Sequence, residues 1–188
     1  MKRIVISDAS LRDGNHSVRH TITKETAIRY CEFAEKSNIP IVEVGHGNGI
    51  GASSILIGRS KTPDYEILSS VKSVLKNTKL SVHSIPGLST ISKDIKPAIE
   101  CGVDIFRIAT HCTEATLAKS HIEYLATQDV IVYGVLMMSA LITADELVEQ
   151  VKIMESYGAQ GIIIMDSTGT YLPSDVKERI TKLKANLK

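Results

Sequence analysis

Short runs of branched apolar residues alternate along the chain with stretches in which apolar positions recur every three or four residues. Residues 4–6, Ile-Val-Ile, read as a buried strand. Ala27, Tyr30, Cys31 and Ala34 then fall on one helical face, behind Thr23 as a plausible N-cap. Residues 40–44 predict a second strand, and Pro63-Asp64 opens a helix carrying Ile67, Leu68, Val71, Val74 and Leu75. Residues 80–85 predict a third strand, stopped by Pro86-Gly87. Ser92 is read as the cap of a short helix burying Ile95, Ala98 and Ile99, with Pro97 tolerable only near its first turns. Residues 103–109 predict strand four, followed by a helix over about 114–126. Residues 130–136 predict strand five. Thr143 and Glu146 then have the spacing of a capping box, ahead of a helix that buries Leu147, Val151 and Met154 and stops at Gly158. Residues 161–165 predict strand six, and Ser174 is read as the cap of a last helix with Ile180, Leu183 and Leu187.

Six strands alternating with six helices, most strands apolar on both faces, predict a parallel sheet covered by helices. Every polar cluster follows a strand, which is where a (β/α)-barrel places its active site. An open Rossmann-type sheet fits less well, because no Gly-x-Gly-x-x-Gly turn follows strand one. Residues 45–51 hold four glycines in seven positions and form a close-approach loop, but without the Gly-Lys-Ser/Thr ending of a P-loop. A complete (β/α)8 barrel takes roughly 250 residues. The expected fold over residues 1–188 is therefore α/β: a single, partial (β/α)8 TIM barrel of six β/α units, with strands seven and eight absent. Strands one and six then have open edges that invite pairing with another chain. A homo-oligomer, or a piece of a longer protein, is the corresponding expectation.

Composition narrows the function. The chain has 22 basic and 21 acidic residues, and a net charge of +1 points to neither nucleic acid nor an anionic membrane as partner. Cys31, Cys101 and Cys112 lack the paired spacing of a zinc site or a disulfide framework, which fits reduced thiols in a cytoplasm. The amino-terminal apolar run is too short for a signal peptide, and no stretch approaches the ~20 apolar residues of a membrane span.

The candidate chemistry is concentrated just after strand one, where Leu11-Arg12-Asp13-Gly14 is followed by His16. A guanidinium, a carboxylate and an imidazole at one strand end can polarise an oxyanion, hold a divalent cation and move a proton. A polar loop with a surface salt bridge is the plainer reading of the same residues. This stretch resembles the first-strand signature of the metal-dependent pyruvate aldolases, the 4-hydroxy-2-oxovalerate aldolase family, within the superfamily of hydroxymethylglutaryl-CoA lyase and isopropylmalate synthase. The resemblance continues through Glu43-Val44-Gly45-His46-Gly47, Ile85-Pro86-Gly87, the Arg107 to Ala115 stretch, Leu136-Met137-Met138-Ser139, the Met154 to Ala159 stretch and Asp166-Ser167.

The resemblance implies a class II aldolase that cleaves 4-hydroxy-2-oxopentanoate to pyruvate and an aldehyde through a metal-bound enolate. Asp13 is the candidate ligand of Mn²⁺ or Mg²⁺, with an N-cap or ion-pair role as its alternative. Arg12 would stabilise the enolate oxygen, or else serve as a structural partner of Asp13 or Asp8. His16 would be the general base, a task suited to an imidazole. Ser167 would hold the pyruvate carboxylate, unless Asp166-Ser167-Thr168-Gly169 is only a strand-ending turn. Glu43, His46, Arg107, His111 and Glu114 are expected to orient or support, Glu43 or Arg107 through an ion pair. Met137 and Met138 are expected to line core and pocket, and Cys112 beside His111 is not expected to form a thiolate–imidazole pair. The family's strand-seven His-x-His ligand pair and its C-terminal catalytic tyrosine lie beyond the sixth unit, so metal affinity is expected to be weak. The resemblance also implies an acylating aldehyde dehydrogenase as partner. Two alternatives stand beside the aldolase: a catalytically incompetent barrel fragment that self-associates or needs a complementing chain, and a CoA-dependent lyase or synthase.

Overall fold

The computed structural model describes residues 4–187. They divide into two compact units, with the boundary between Phe106 and Arg107. Six β/α units follow one another along the chain, the succession of an α/β partial (β/α)8 barrel.

The first unit holds β1 (Ser7–Asp8), α1 (Lys24–Lys36), β2 (Ile41–Glu43), α2 (Asp64–Lys72), β3 (Lys79–Ser84) and α3 (Lys96–Glu100). β1 runs parallel to β2 with Ser7 opposite Ile41, and β2 parallel to β3 with Glu43 opposite Ser81. Partnered residues leave the same face of a parallel pair, so Glu43 and Ser81 share one side of the sheet. Thr23 caps α1 by accepting from the Thr26 N–H, as its sequence position predicts. Ala27, Cys31 and Ala34 of that helix are buried, and Leu68, Leu80 and Ile95 are among the fully buried side chains of this unit.

Two expectations here are corrected. Residues 4–6 do not form a buried strand: Ile4, Val5 and Ile6 are 86%, 60% and 59% exposed, and pairing starts at Ser7. Among the described residues β1 pairs on one side only, with β2, so β-branched composition finds neither a second ladder nor a covering surface there. Nor is Ser92 a cap. Thr90 takes that place, accepting from the Lys93 N–H, while Asp94 accepts from the Thr90 N–H at 2.6 Å. This exchange turns the chain two residues early into a wide turn at Ile91–Ile95, and Pro97 falls in the first turn of α3.

Glu35, near the end of α1, fastens the chain ahead of β3. Its carboxylate accepts from the backbone N–H groups of Lys76, Asn77 and Thr78 and from the Asn77 amide. The Thr78 N–H foremost, then those of Asn77 and Lys76, hold its pKa down at about 2. A depressed carboxylate contributes stability that is full above its unfolded value and lost as pH falls through the folded one. The expected result is a stability decline between about pH 4.5 and 2 that is shallower in Glu35→Gln, read as urea midpoints against pH. Equal slopes would remove Glu35 from this role.

β4 (Ile105–His111) leads into the second unit, which holds α4 (Lys119–Ala126), β5 (Ile131–Met137), α5 (Ala144–Ser156), β6 (Gly161–Ile164) and α6 (Pro173–Asn186). β5 and β6 are parallel, Tyr133 opposite Gly161 and Leu136 opposite Ile164. Leu147, Val151 and Met154 are buried, and the Thr143–Glu146 capping box is present in both directions. The helix expected from residue 114 begins instead with a tight turn at Ala115–Ala118. Ser174 is not the cap of α6: Leu172 stands there, its N–H held by Asp175 at 2.8 Å, and Pro173 opens the helix, where a missing N–H costs nothing. β6 is half-buried along its length rather than enclosed. No helix among the described residues is long and apolar enough to cross a membrane.

Candidate active site

The chain leaves β1 and folds at once. The Ala9 carbonyl accepts from the N–H groups of both Arg12 and Asp13, and a single tight turn spans Asp13–His16. Leu11 is buried beneath this turn, and Asn15 ties it to the next loop by donating to the Gly45 carbonyl at 3.0 Å. Arg12 is thereby drawn into the interior. Its Nε donates to Glu43 Oε1 at 2.6 Å, and one terminal nitrogen reaches Asp13 Oδ1 at 2.8 Å and the Gly47 carbonyl at 3.2 Å. The Arg12 side chain is 6% exposed and that of Glu43 fully buried. The guanidinium plane is thus fixed from three directions, with Nη2 left without a partner among the described residues. The ion pair expected of Glu43 is made with Arg12, whereas Asp8 is engaged by the Tyr30 hydroxyl and the Ser10 N–H.

Asp13 stands at the mouth, its side chain 68% exposed. One oxygen is shared with Arg12 and the rest of the carboxylate faces outward. His16 is exposed as well, and its ring rests against Gly47, where an added Cβ would displace it. Two further imidazoles back it: His20 lies edge-on at 5.0 Å, and His20 stacks on His46 at 3.6 Å with planes 16° apart. Asn48 N–H donates to His46 Nδ1 at 3.0 Å, and His46 Nε2 lies 3.1 Å from the Gly58 carbonyl. Taken together, these contacts make Nε2 the protonated nitrogen of a neutral ring. Burial, reinforced by the neighbouring imidazoles, holds His20 and His46 below the ordinary histidine value. His20 and His46 are therefore a neutral wall beside a guanidinium.

His20 is the site residue that sequence reasoning missed, whereas Gly47 lies in the glycine-rich stretch read as a close-approach loop. His20 lies eight residues beyond Arg12 in no recognisable pattern. It reaches the cluster because Arg19 and His20 both adopt left-handed backbone, φ 53° and 58°, a conformation that costs on the order of 1–3 kcal/mol per residue. Consecutive positive φ at non-glycine positions was the signal, and it is visible only in three dimensions.

In the second unit, Ser167 follows β6 on an exposed turn. Its Oγ accepts from the Met138 N–H at 3.0 Å, which leaves the hydroxyl proton free to donate. Asp166 folds this turn by accepting from the N–H groups of Tyr171 and Thr170, bonds that hold its carboxyl below the usual range. His111 Nδ1 lies 2.8 Å from the Thr113 hydroxyl, Arg107 is buried and Glu114 is exposed. Cys112 sits 3.9 Å from His111 but donates its thiol to the Met138 carbonyl, and burial raises its pKa, so it remains a thiol rather than a nucleophilic thiolate. Met137 and Met138 are half-buried.

A divalent cation needs several hard oxygen or imidazole ligands converging on one point. Among the described residues no group of three or more His, Cys, Asp or Glu side chains is placed to hold a metal ion. Asp13 is one donor, and His20 and His46 are stacked on each other and committed to backbone groups. These residues alone do not fit a complete metal centre.

Comparison with known proteins places this geometry in a wider context. A family model described as HMGL-like matches residues 3–188. The chain is 48% identical over 182 residues to 4-hydroxy-2-oxovalerate aldolase of Pectobacterium atrosepticum, covering 97% of this chain and 53% of that protein. It is 47% identical to the protein of the same name from Spirochaeta aurantia, covering 98% and 54%. The chain thus spans about half the length of the curated relatives it matches. Among solved structures, the carboxyl transferase domain of Rhizobium etli pyruvate carboxylase with oxamate and biotin superposes with a TM-score of 0.82. That match covers 98% of this chain and 34% of the other at 15% identity, a likeness of fold.

Proposed function

The chain belongs to the HMGL-like family, and on that premise we propose that it carries part of the site of a class II aldolase cleaving a 4-hydroxy-2-oxo acid, such as 4-hydroxy-2-oxopentanoate, to pyruvate and an aldehyde. The observation that carries this reading is Arg12: a buried guanidinium clamped by Glu43, Asp13 and the Gly47 carbonyl, beside an exposed imidazole with no hydrogen bond of its own among the described residues. Held in this way, its free edge stabilises negative charge that develops on the 2-oxo oxygen, at no reorganisation cost in the transition state.

His16 takes the proton of the 4-hydroxyl. The C3–C4 bond then breaks, its electron pair passing into the 2-oxo group as the enolate of pyruvate while C4 leaves as the aldehyde carbon. Protonation of C3 completes pyruvate. Ser167, in the second unit, keeps its proposed carboxylate-holding role on the sequence resemblance alone, with a hydroxyl proton free to donate. Asp13 is the proposed contributor to Mn²⁺ or Mg²⁺, with the remaining ligands not among the described residues, and no step is routed through the ion. An aldehyde product would suit an acylating aldehyde dehydrogenase as partner, the proposal that the sequence resemblance carries.

Pyruvate release from 4-hydroxy-2-oxopentanoate by this chain with added Mn²⁺ tests the reading. Arg12→Ala is expected to lower the rate by about 10²–10³-fold, the scale of losing one preorganised oxyanion donor. An unchanged rate in that variant would overturn the role of Arg12. A second reading has its own observation, the exposed Ile4-Val5-Ile6 segment ahead of a one-sided β1: the chain works only when another chain, a second copy included, covers that edge. Pyruvate release that appears only above a threshold protein concentration, or only on adding a longer relative, would favour it.

A further inference from the structure

We propose that His20 is a positioning residue for His16, acting by accepting the Gly47 N–H and so fixing the one residue, Gly47, that serves both His16 and Arg12. This rests on the aldolase reading for its kinetic consequence but not for its geometry. Gly47 meets three groups at once. Its N–H donates to His20 Nδ1 at 3.4 Å, its carbonyl accepts from Arg12 at 3.2 Å, and its Cα lies against the His16 ring. A change in the Gly47 backbone dihedrals, which join the peptide held by His20 to the next one held by Arg12, would therefore move the carbonyl off the guanidinium and open the slot that sets the imidazole's position.

Several features hold the His20 acceptor in place. The ring is buried and stacked on His46, itself committed to Asn48 and Gly58. The backbone of His20 is pinned on both sides, its N–H to the Asn15 carbonyl at 2.8 Å and its carbonyl to the Lys61 N–H at 2.9 Å. The left-handed backbone at Arg19 and His20 points the same way, since strain of this kind persists where the surroundings over-determine it, as they do at functional sites. His16, by contrast, has no side-chain hydrogen bond among the described residues. The cluster fixes its neighbours and leaves its nitrogens to substrate.

Three variants of the full chain separate this role from ring packing. His20→Asn accepts the left-handed backbone and places Oδ1 near the former Nδ1. His20→Phe keeps a buried ring but no acceptor, and His20→Ala removes both. With 4-hydroxy-2-oxopentanoate and Mn²⁺, the Phe and Ala variants are expected to lose about 10²-fold in kcat with KM changed by less than about threefold, while Asn restores kcat to within about tenfold of the unaltered chain. Independently of turnover, imidazole nitrogen NMR of His16 is expected to keep one resolved pair of ring signals in the unaltered chain and in His20→Asn, and averaged signals in His20→Phe and His20→Ala. Equal kcat for Asn and Phe, or His16 signals unchanged in Phe and Ala, would overturn the proposal. Absence of pyruvate from the unaltered chain would count against the aldolase reading instead, and the His16 spectra would still decide the role of His20.

Discussion

Arg12→Met is expected to destabilise the chain by about 3–5 kcal/mol, the scale of removing one member of a buried ion pair. Against the roughly 5–15 kcal/mol that holds a typical domain together, this is a fifth or more of the total. The reason is Glu43, whose side chain is fully buried and receives the Arg12 Nε–H at 2.6 Å. Glu43 keeps its other contacts, yet loses the guanidinium N–H that reaches it at 2.6 Å. Arg12→Lys is expected to recover only part of the loss. An ammonium is a point charge and cannot hold Glu43, Asp13 and the Gly47 carbonyl in one plane as the guanidinium does. The double variant Arg12→Met, Glu43→Met is expected to be more stable than Arg12→Met alone, because no carboxylate is left in the interior. A double-mutant cycle read from urea midpoints measures the coupling, and simple additivity would show that the two side chains do not act as a pair.

The sequence made most of the scaffold legible, because a strand enclosed by helices must be apolar and a helix must repeat its apolar positions. β2 to β5 and the buried faces of α1, α2 and α5 follow from that alone. The departures are places where a neighbour, rather than the local pattern, decides. Ile4-Val5-Ile6 has the composition of a buried strand, but burial needs a covering surface and a second ladder, and a run of three letters carries neither. Ser92 and Ser174 are good capping residues that lost to Asp94 and Asp175, carboxylates reaching back to the backbone from inside the turn.

The candidate site divides the same way. Arg12, Asp13 and His16 were legible because they are contiguous and follow a strand. Glu43 was legible as an ion-pair member, yet its partner lay 31 positions away and had to be found in space. His20 left no trace in the sequence, since its place depends on two consecutive left-handed residues, and although histidine tolerates that backbone, arginine at position 19 gives no sign of it.

The glycines of the loop after β2 give the sharpest separation of folding from chemistry. Gly47→Ala is expected to cost less than about 1 kcal/mol while lowering kcat by about 10²-fold or more. The added Cβ would come within 2.5 Å of Cδ2 and Cε1 of His16, and something must give. Gly47 does not have positive φ, so its backbone accepts alanine, and the exposed imidazole is the part free to swing away. Gly49→Ala reverses the balance. Gly49 has φ 96°, and its Cβ would lie 2.8 Å from the carbonyl carbon of His83 and 3.2 Å from Ser84 N, in the backbone of β3. A strand cannot retreat as a side chain can, so a cost of about 2–6 kcal/mol is expected, from about 1–3 each for the strained backbone and the overlap. Melting curves and pyruvate release measured on the same two proteins read the contrast. A Gly47→Ala variant with full turnover would mean that the position of His16 does not matter to the rate, and the base assigned to this reaction would then have to be sought elsewhere.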